Sequence, residues 1–222
     1  EPVGTALPVM VLQELVDRRA ASQPVAYVTD LETGGPVLRP ASDYPDRLRM
    51  DQSGVLADGR SFVVIHNAPL RLAIVGAVHI AQHFVPMAIA CGYETYVIDP
   101  RPAFVTAARF PDANLMDVYP DAALSQIGLN ARTAVVTLAH DPKIDDPAIT
   151  TALASDAFYL GCLGSKRTHA KRLARLTEAG FDQETLARIH GPVGLPIGGR
   201  QPAEIAISIM AEMTKTLRVA GA

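Results

Sequence analysis

The stretch LAIVGAVHIAQHF, residues 72–84, decides the fold of this chain. It begins with the apolar run 72–75, which is typical of a β-strand that is buried on both faces. Gly76 ends the run, and a helix is predicted from about His79 to Cys91. A strand that turns at a glycine into a helix is the opening unit of many α/β proteins.

The same alternation is repeated through the rest of the chain. Further apolar strands are predicted at TYVID (95–99), TAVVTL (133–138) and AFYLG (157–161). Helices are predicted from Pro102 onward, over 120–127 and over 145–155. Apolar strands that alternate with helices indicate a parallel sheet covered on both sides, and right-handed crossovers give it a doubly wound, Rossmann-type layout.

The first 68 residues have a different pattern. Residues 8–21 carry apolar side chains at helical spacing, and strands are predicted at 24–30, near 37–38 and at 61–66. Residues 41–60 are polar and predicted to be irregular. Asn67, Ala68 and Pro69 break the chain, so we expect a small α+β domain over 1–68 and a Rossmann-type domain over 69–222.

Composition excludes several classes of protein. With 222 residues, 49% hydrophobic residues and a net charge of −3, the chain can build a core and is not expected to bind nucleic acid. No apolar run is long enough for a membrane span, and the start EPVGTALPVM lacks signal-peptide features. Cys91 and Cys162 show no zinc or disulfide spacing. We therefore expect a soluble cytoplasmic protein without a metal site.

The turn after strand 72–75 matches the dinucleotide-binding fingerprint only in part. Gly76 fits the first glycine and Ala81 can replace the third, but Val78 stands at the second, where the pyrophosphate must approach. Asp99 lies near the distance expected for a ribose-binding acid, and Arg101 could favour a 2′-phosphate. Alternatively, Gly76 only makes the turn and Asp99 only caps the segment that follows it.

A second glycine-rich element follows strand 157–161. Gly161 and Gly164 allow close backbone approach, Ser165 can cap the helix that follows, and Lys166 and Arg167 lie in its first turn. Helix amides, the helix dipole and two cations favour an anion such as a phosphate. The spacing is not that of a Walker P-loop. The alternative is an ordinary capped helix.

A third loop, GPVGLPIGGRQ (191–201), contains Gly198 and Arg200 and leads into a helix that begins with proline. We expect the two late glycine loops to converge into a positively charged site for an anionic ligand.

Two other positions carry reactive groups. His140 and Asp141 follow strand 133–138 and either perform acid–base chemistry or form a capped turn before Pro142. Cys162 is either a thiol activated by nearby positive charge or a small buried side chain that ends a strand.

Residues from about 71 to 213 resemble the carboxyl-terminal Rossmann-type domain of the xanthine dehydrogenase accessory family, also called XdhC/CoxI. The resemblance rests on five blocks in the same order: VGAVH (75–79), VIDPR (97–101), LAHD (138–141), YLGCLGSKR (159–167) and GPVGLPIGGRQPAEIA (191–206). Residues 8–66 resemble only the helix-then-strand opening of that family's amino-terminal domain.

The resemblance implies a maturation factor for xanthine, aldehyde or carbon monoxide dehydrogenases. Such a protein binds the anionic, molybdopterin-type molybdenum cofactor, assists its sulfuration and delivers it to the apo-enzyme. A cysteine desulfurase would be a further partner, and a homodimer is expected. The residues implied to bind the cofactor are Gly76, His79, Asp99, Arg101, His140, Asp141, Gly161, Gly164, Ser165, Lys166, Arg167, Gly198 and Arg200.

The chain departs from the family pattern at three places. Val78 replaces a glycine, Pro196 replaces an aspartate, and the amino-terminal region lacks a glycine-glycine-cysteine segment. Two other functions therefore remain open. One is an NAD(P)-dependent oxidoreductase, which Val78 disfavours, and the other is a docking protein that has lost its ligand.

Overall fold

The computed structural model describes residues 8–21 and 23–219. The chain divides into two compact units, Glu1–Pro69 and Leu70–Ala222.

The first unit combines helices with an antiparallel sheet. Its elements are α1 (Val9–Ala20), β1 (Val25–Asp30), β2 (Pro36–Pro40), a 3₁₀ helix (Ala41–Asp43), α2 (Pro45–Met50), β3 (Gly54–Val55) and β4 (Ser61–His66). The strands pair in the order β2-β1-β4-β3. The prediction that residues 41–60 are irregular is wrong for α2 and β3. Pro45 starts α2 at the first helical position, where a missing backbone N–H costs nothing.

The second unit alternates strands and helices, as predicted. Its elements are β5 (Leu70–Val75), α3 (His79–Ala90), β6 (Tyr93–Ile98), β7 (Asn114–Met116), α4 (Pro120–Ile127), β8 (Thr133–Thr137), α5 (Pro142–Leu153), β9 (Tyr159–Cys162), α6 (Lys166–Glu178), α7 (Gln183–Leu186), β10 (Ile189–His190) and α8 (Pro202–Arg218).

All six strands of this unit are parallel and lie in the order β10-β9-β8-β5-β6-β7. The chain builds outward from β5 to one edge, then returns to β8 and builds toward the other. This is the doubly wound Rossmann order, and the predicted fold class is confirmed. The strand order reverses between β5 and β8, so a ligand crevice is expected at their carboxyl ends.

Apolar side chains of the central strands point alternately to two cores. Leu72 and Ile74 of β5 belong to the cluster that includes Phe84 of α3 and Ile209 of α8. Val75 belongs to the opposite cluster, which joins side chains of α4, α5 and α6. Because both faces of the sheet are covered, the strands are continuous apolar runs in the sequence.

The helix predicted from Pro102 is wrong. Residues 102–113 form successive turns, with backbone bonds from Phe104 to Arg101 and from Arg109 to Thr106. The Arg101 guanidinium lies 4.5 Å from the centre of the Phe104 ring, and Arg109 donates to the Phe104 carbonyl oxygen. These contacts stabilise a compact loop that leads into β7.

Candidate functional site

The loops after β5 and β8 touch at the point where the strand order reverses. Gly76 has φ +107°, and a Cβ there would lie 2.7 Å from the backbone nitrogen of Ala139. The position therefore needs glycine for both its conformation and the approach of Ala139. Gly76 therefore makes the predicted turn, and a side chain at this position would point at the backbone of Ala139.

Asp99 is bonded by its own chain. One carboxylate oxygen accepts from the Ala77 amide at 2.9 Å, and Arg101 binds both oxygens through Nε at 2.8 Å and Nη2 at 2.7 Å. The Asp99 side chain is fully buried. Burial alone would raise the pKa of Asp99, but the hydrogen bonds from Arg101 and Ala77 outweigh it and lower that pKa. The carboxylate is therefore not presented to a ribose in this arrangement.

The start of α3 lacks the features of a phosphate-binding turn. Val78 is the N-cap residue, its side chain makes no capping bond, and it packs against the core. His79 follows as the first helical residue and is exposed.

The start of α6 is built as predicted. Ser165 is the N-cap, and its hydroxyl accepts from the Thr168 amide at 3.1 Å. The amides of Lys166 and Arg167 have no acceptor among the described residues, as expected for a helix start. Both side chains are exposed. This terminus therefore has free donors, the positive end of the helix dipole and two cations.

A cavity of about 270 Å³ lies beside this helix, next to the loop that follows β8. Four cations and one buried acid dominate its lining, which is formed by His140, Pro142, Asp145, Arg167, Thr168, Lys171, Arg172 and Arg175. Of the residues predicted from sequence, it brings together His140 and Arg167.

Arg172 is the least expected member of this lining. It is only 2% exposed, and its Nη2 donates to the Leu163 carbonyl oxygen at 2.9 Å. Its Nε and Nη1 are buried and have no hydrogen-bond partner within the described parts of the chain. A buried donor left unpaired costs about 1–3 kcal/mol, more for a charged group. A cavity that holds such a cation is suited to an anionic ligand.

Asp145 lies beside Arg172 and is also 2% exposed. Its Oδ1 is buried and has no hydrogen-bond partner among the described residues. Burial raises the pKa of Asp145 to about 7, although the charge of Arg172 and the amides of Ala139 and His140 act in the opposite direction. Near neutral pH this acid is therefore only partly ionised.

The other cations of the lining differ in their pairing. Arg175 binds Asp146 through Nε and Nη2 of its guanidinium, at 2.8 and 2.9 Å. Arg167, Lys171 and Arg172 have no carboxylate within 4.0 Å in residues 8–21 and 23–219. Among the described residues, these three cations therefore have no carboxylate at salt-bridge distance.

His140 and Asp141 have different roles in this loop. His140 adopts φ +61°, which is uncommon for a residue other than glycine. Its imidazole is partly covered at the rim of the cavity, and this partial burial, followed by the charge of Arg172, lowers the pKa of His140. Asp141 caps α5 by accepting from the Lys143 amide at 3.0 Å. The capped-turn alternative therefore describes Asp141.

The predicted glycines serve different purposes. A Cβ on Gly161, within β9, would lie 2.5 Å from Val193 Cγ2, so this glycine makes room for the third glycine loop. Gly164 has φ +147° beside Thr168. Gly198 has φ +82° with no atom within 4 Å of its Cβ position.

The beginning of the third glycine loop contacts α6 and β9. A Cβ on Gly191 would overlap the His169 ring, and Val193 donates to the Cys162 carbonyl oxygen at 3.2 Å. At the other end, the amides of Arg200 and Gln201 donate to Glu204, at 2.7 and 2.9 Å. Gly198 and Arg200 do not line the cavity. Their predicted role in ligand binding stays a prediction.

Cys162 lies at the end of β9 and is completely buried. Burial raises the pKa of the Cys162 thiol to about 11, outweighing the nearby Arg172 and the Thr137 hydroxyl. The thiol is therefore protonated at neutral pH, which favours the structural alternative over a reactive thiolate.

Two features are absent from the described residues. None of their helices combines the length and apolar character that crossing a membrane requires. Within that same part of the chain, no group of three or more His, Cys, Asp or Glu side chains is placed to hold a metal ion.

The fold and the cavity define a Rossmann-type domain with an incomplete dinucleotide fingerprint and a cationic site next to β8 and α6. The XdhC Rossmann domain matches residues 72–213. The chain therefore belongs to the XdhC family, as the resemblance indicated.

Relatives agree with this assignment. The molybdenum cofactor insertion chaperone PaoD of Escherichia coli is 38% identical over 111 residues, which are 50% of this chain and 34% of PaoD. A probable xanthine dehydrogenase subunit from Bacillus subtilis is 33% identical over 131 residues, which are 59% of this chain and 38% of that protein. The matched regions thus span between a third and two-fifths of these two relatives.

A solved structure covers nearly the whole chain. A crystal structure described as a xanthine dehydrogenase from Bacillus halodurans superposes with a TM-score of 0.70 and 26% identity. The match covers 99% of this chain and 67% of that one.

Proposed function

We propose that this chain binds the molybdenum cofactor and assists its insertion into a molybdenum hydroxylase of the xanthine dehydrogenase type. The observation that carries the proposal is the cationic cavity, in which Arg167, Lys171 and Arg172 lack acidic partners among the described residues. Membership of the XdhC family and the names of the relatives support the identity of the ligand.

The residues of the cavity fit the anionic part of such a cofactor. Buried, unpaired guanidinium N–H groups and a helix start are the donors that bind phosphate oxygens. When bound, the cofactor supplies the redox chemistry of the recipient enzyme. This chain would hold its phosphate end through Arg167, Arg172 and the α6 amides, with Lys166 and Ser165 beside them. Gly76, His79, Asp99 and Arg101 would lie along the neighbouring crevice.

Several finer statements belong to the same proposal. Binding is transient, the recipient is the apo-enzyme, and the protein acts in the cytoplasm as a homodimer. A cysteine desulfurase is a further expected partner.

Co-elution of the cofactor tests the proposal. The chain is purified from cells that make molybdopterin, and the bound pterin is oxidised and quantified by fluorescence. Arg167→Ala removes a cation of the cavity lining and Lys166→Ala a cation of the adjacent helix start, whereas Lys215→Ala removes an exposed cation of α8, away from both. Losing one charge-assisted hydrogen bond of about 1.5–3 kcal/mol weakens binding roughly ten- to a hundredfold.

The result distinguishes the remaining functions. Pterin that co-elutes with wild type and Lys215→Ala, but is reduced in the other two variants, supports the proposal. Equal pterin in all four proteins would remove the assignment of the site. A captured molybdenum enzyme without any pterin would instead support a docking protein.

A further inference from the structure

The buried pair Asp145 and Arg172 leads to an inference that deepens the proposed function and rests on it for the identity of the ligand. The two side chains come from different helices, α5 and α6, and both line the same cavity. Each is 2% exposed. Among the described residues, Arg172 keeps two unpaired donor nitrogens, Nε and Nη1, and Asp145 keeps one unpaired oxygen. Such groups are normally paired, so their partner is expected to be a ligand.

The charges around the pair indicate which ligand. An oxyanion supplies the acceptors that Arg172 lacks, and the charges of Arg167 and Lys171 at the same cavity add to its attraction. An ionised Asp145 would repel that oxyanion at short range, whereas a protonated Asp145 can donate a hydrogen bond to it. The two groups therefore suit an oxyanion only when Asp145 holds a proton.

We infer that Asp145 and Arg172 form a subsite for a phosphate-class oxyanion, and that binding of the oxyanion is coupled to protonation of Asp145. In the proposed function, this oxyanion is the phosphate of the molybdenum cofactor. The subsite selects its ligand by hydrogen bonding as well as by charge, because the protonated carboxyl group of Asp145 and the guanidinium of Arg172 both donate hydrogen bonds.

The effect of protonating Asp145 must be distinguished from the effects of the other titratable groups near it. They are Asp146 of α5, His140 in the loop before α5, Cys162 of β9, and Arg172, Arg175 and His169 of α6. The arginines keep their charge at any pH used, and Cys162 stays protonated because burial raises its pKa to about 11. Partial burial, followed by the charge of Arg172, lowers the pKa values of His140 and His169, and both histidines are still present in Asp145→Asn, so this variant separates their effect from that of Asp145.

Sulfate is the most direct probe, because it remains a dianion throughout this range and phosphate does not. Calorimetric titration of the cofactor-free chain with sulfate is carried out between pH 6.5 and 8.5. We expect the dissociation constant to rise with pH, approaching tenfold per unit above the pKa of Asp145, with uptake of up to one proton. Proton uptake is measured by repeating the titration in buffers of different ionisation enthalpy.

Three variants make the experiment specific. Asp145→Asn keeps the volume and a donor but cannot titrate, so its sulfate affinity should vary little with pH and exceed that of wild type at pH 8.5. Arg172→Gln should abolish binding, and Arg172→Lys, which keeps the charge, covers the case in which the glutamine variant does not fold. Lys215→Gln is the matched charge control and should behave like wild type.

Five outcomes decide the inference and the source of its ligand. Saturable, pH-dependent sulfate binding that becomes flat in Asp145→Asn supports it. No saturable binding to wild type, or the same pH profile in Asp145→Asn, would overturn it. Inorganic phosphate that competes with the cofactor supports the cofactor's phosphate as the ligand, whereas simultaneous binding supports an oxyanion subsite for free phosphate. Because sulfate is titrated without cofactor, the sulfate results do not depend on the co-elution experiment.

Discussion

Arg101 holds both carboxylate oxygens of Asp99, with Nε 2.8 Å from Oδ1 and Nη2 2.7 Å from Oδ2. The same carboxylate also accepts from the Ala77 amide in the turn after β5. In a dinucleotide-binding domain, the acid at this position is available to the ribose hydroxyls. Here the bonds link the turn after β5 to the end of β6, so the acid has a structural role.

We therefore expect no saturable binding of NADH or NADPH by calorimetry. Two features oppose binding, namely Val78 at the second glycine position and the engagement of Asp99 by Arg101. Val78→Gly separates them, because it opens the turn and leaves Asp99 bonded. Binding to this variant alone would show that Val78 is the obstacle, and micromolar binding to wild type would restore the oxidoreductase alternative.

Removing Arg101 should destabilise the second unit. In Arg101→Ala, the carboxylate of Asp99 loses two charge-assisted bonds, but Arg101 is 44% exposed, so water can replace part of the interaction. We expect a loss of about 1–3 kcal/mol in the free energy of unfolding, measured in urea at pH 7. Lys215→Ala, which removes an exposed cation of α8 in the same unit, is the control and should change it by less than about 0.5 kcal/mol.

The effect of Arg101→Ala should also depend on pH. The pKa of Asp99 is lowered in the folded protein, so its contribution is complete above the unfolded value of about 3.9 and is lost as pH falls through the folded value. The difference between wild type and variant should shrink on acidification below about pH 4. A constant difference down to the acid transition would show that the effect is not electrostatic.

Gly76→Ala tests the contact between the loops after β5 and β8. Gly128→Ala is the matched control, since Gly128 also has a positive φ, +68°, but no atom within 4 Å of its Cβ position. Both variants carry backbone strain of about 1–3 kcal/mol. Only Gly76→Ala adds overlap with Ala139, so its loss of unfolding free energy should be larger by about 1–3 kcal/mol. Equal losses would mean that the Ala139 loop moves away without cost.

Local patterns predicted the four central strands β5, β6, β8 and β9, because these strands are apolar runs. The edge strands β7 and β10 were not predicted, because they are only three and two residues long. The helix predicted from Pro102 failed because that segment is stabilised by side-chain contacts such as Arg101 over Phe104, which helical periodicity does not reveal. Likewise, residues 41–60 looked irregular because α2 is only six residues long.

The cavity was predicted less completely than the fold. Among the basic residues of α6, only Lys166 and Arg167 were predicted to bind a ligand, yet Arg172 lies on the same helical stripe as the partly buried Leu173 and the buried Leu176. Asp145 likewise shares the buried stripe of α5 with Ala148 and Ile149. A charge at a buried helical position was the available signal. The buried stripes of α5 and α6 meet at one cavity because of tertiary packing. The sequence pattern of a single helix does not reveal this packing.

His140 offers a test of strain at the rim of the cavity. Its φ of +61° is unfavourable for a side chain with a Cβ, by about 1–2 kcal/mol, and glycine avoids this strain. We expect His140→Gly to be more stable than His140→Ala by about 1 kcal/mol, although glycine also gains freedom in the unfolded chain. Stability is compared by urea unfolding at pH 7.5, where the lowered pKa of His140 leaves the imidazole neutral in the wild type.

The same two variants test whether His140 contacts the ligand. If its imidazole binds the cofactor, both variants should retain less cofactor than wild type, and to a similar degree, although their stabilities differ. An alanine variant more stable than the glycine variant would mean that the loop relaxes to negative φ, whereas undiminished cofactor in both would remove His140 from the site.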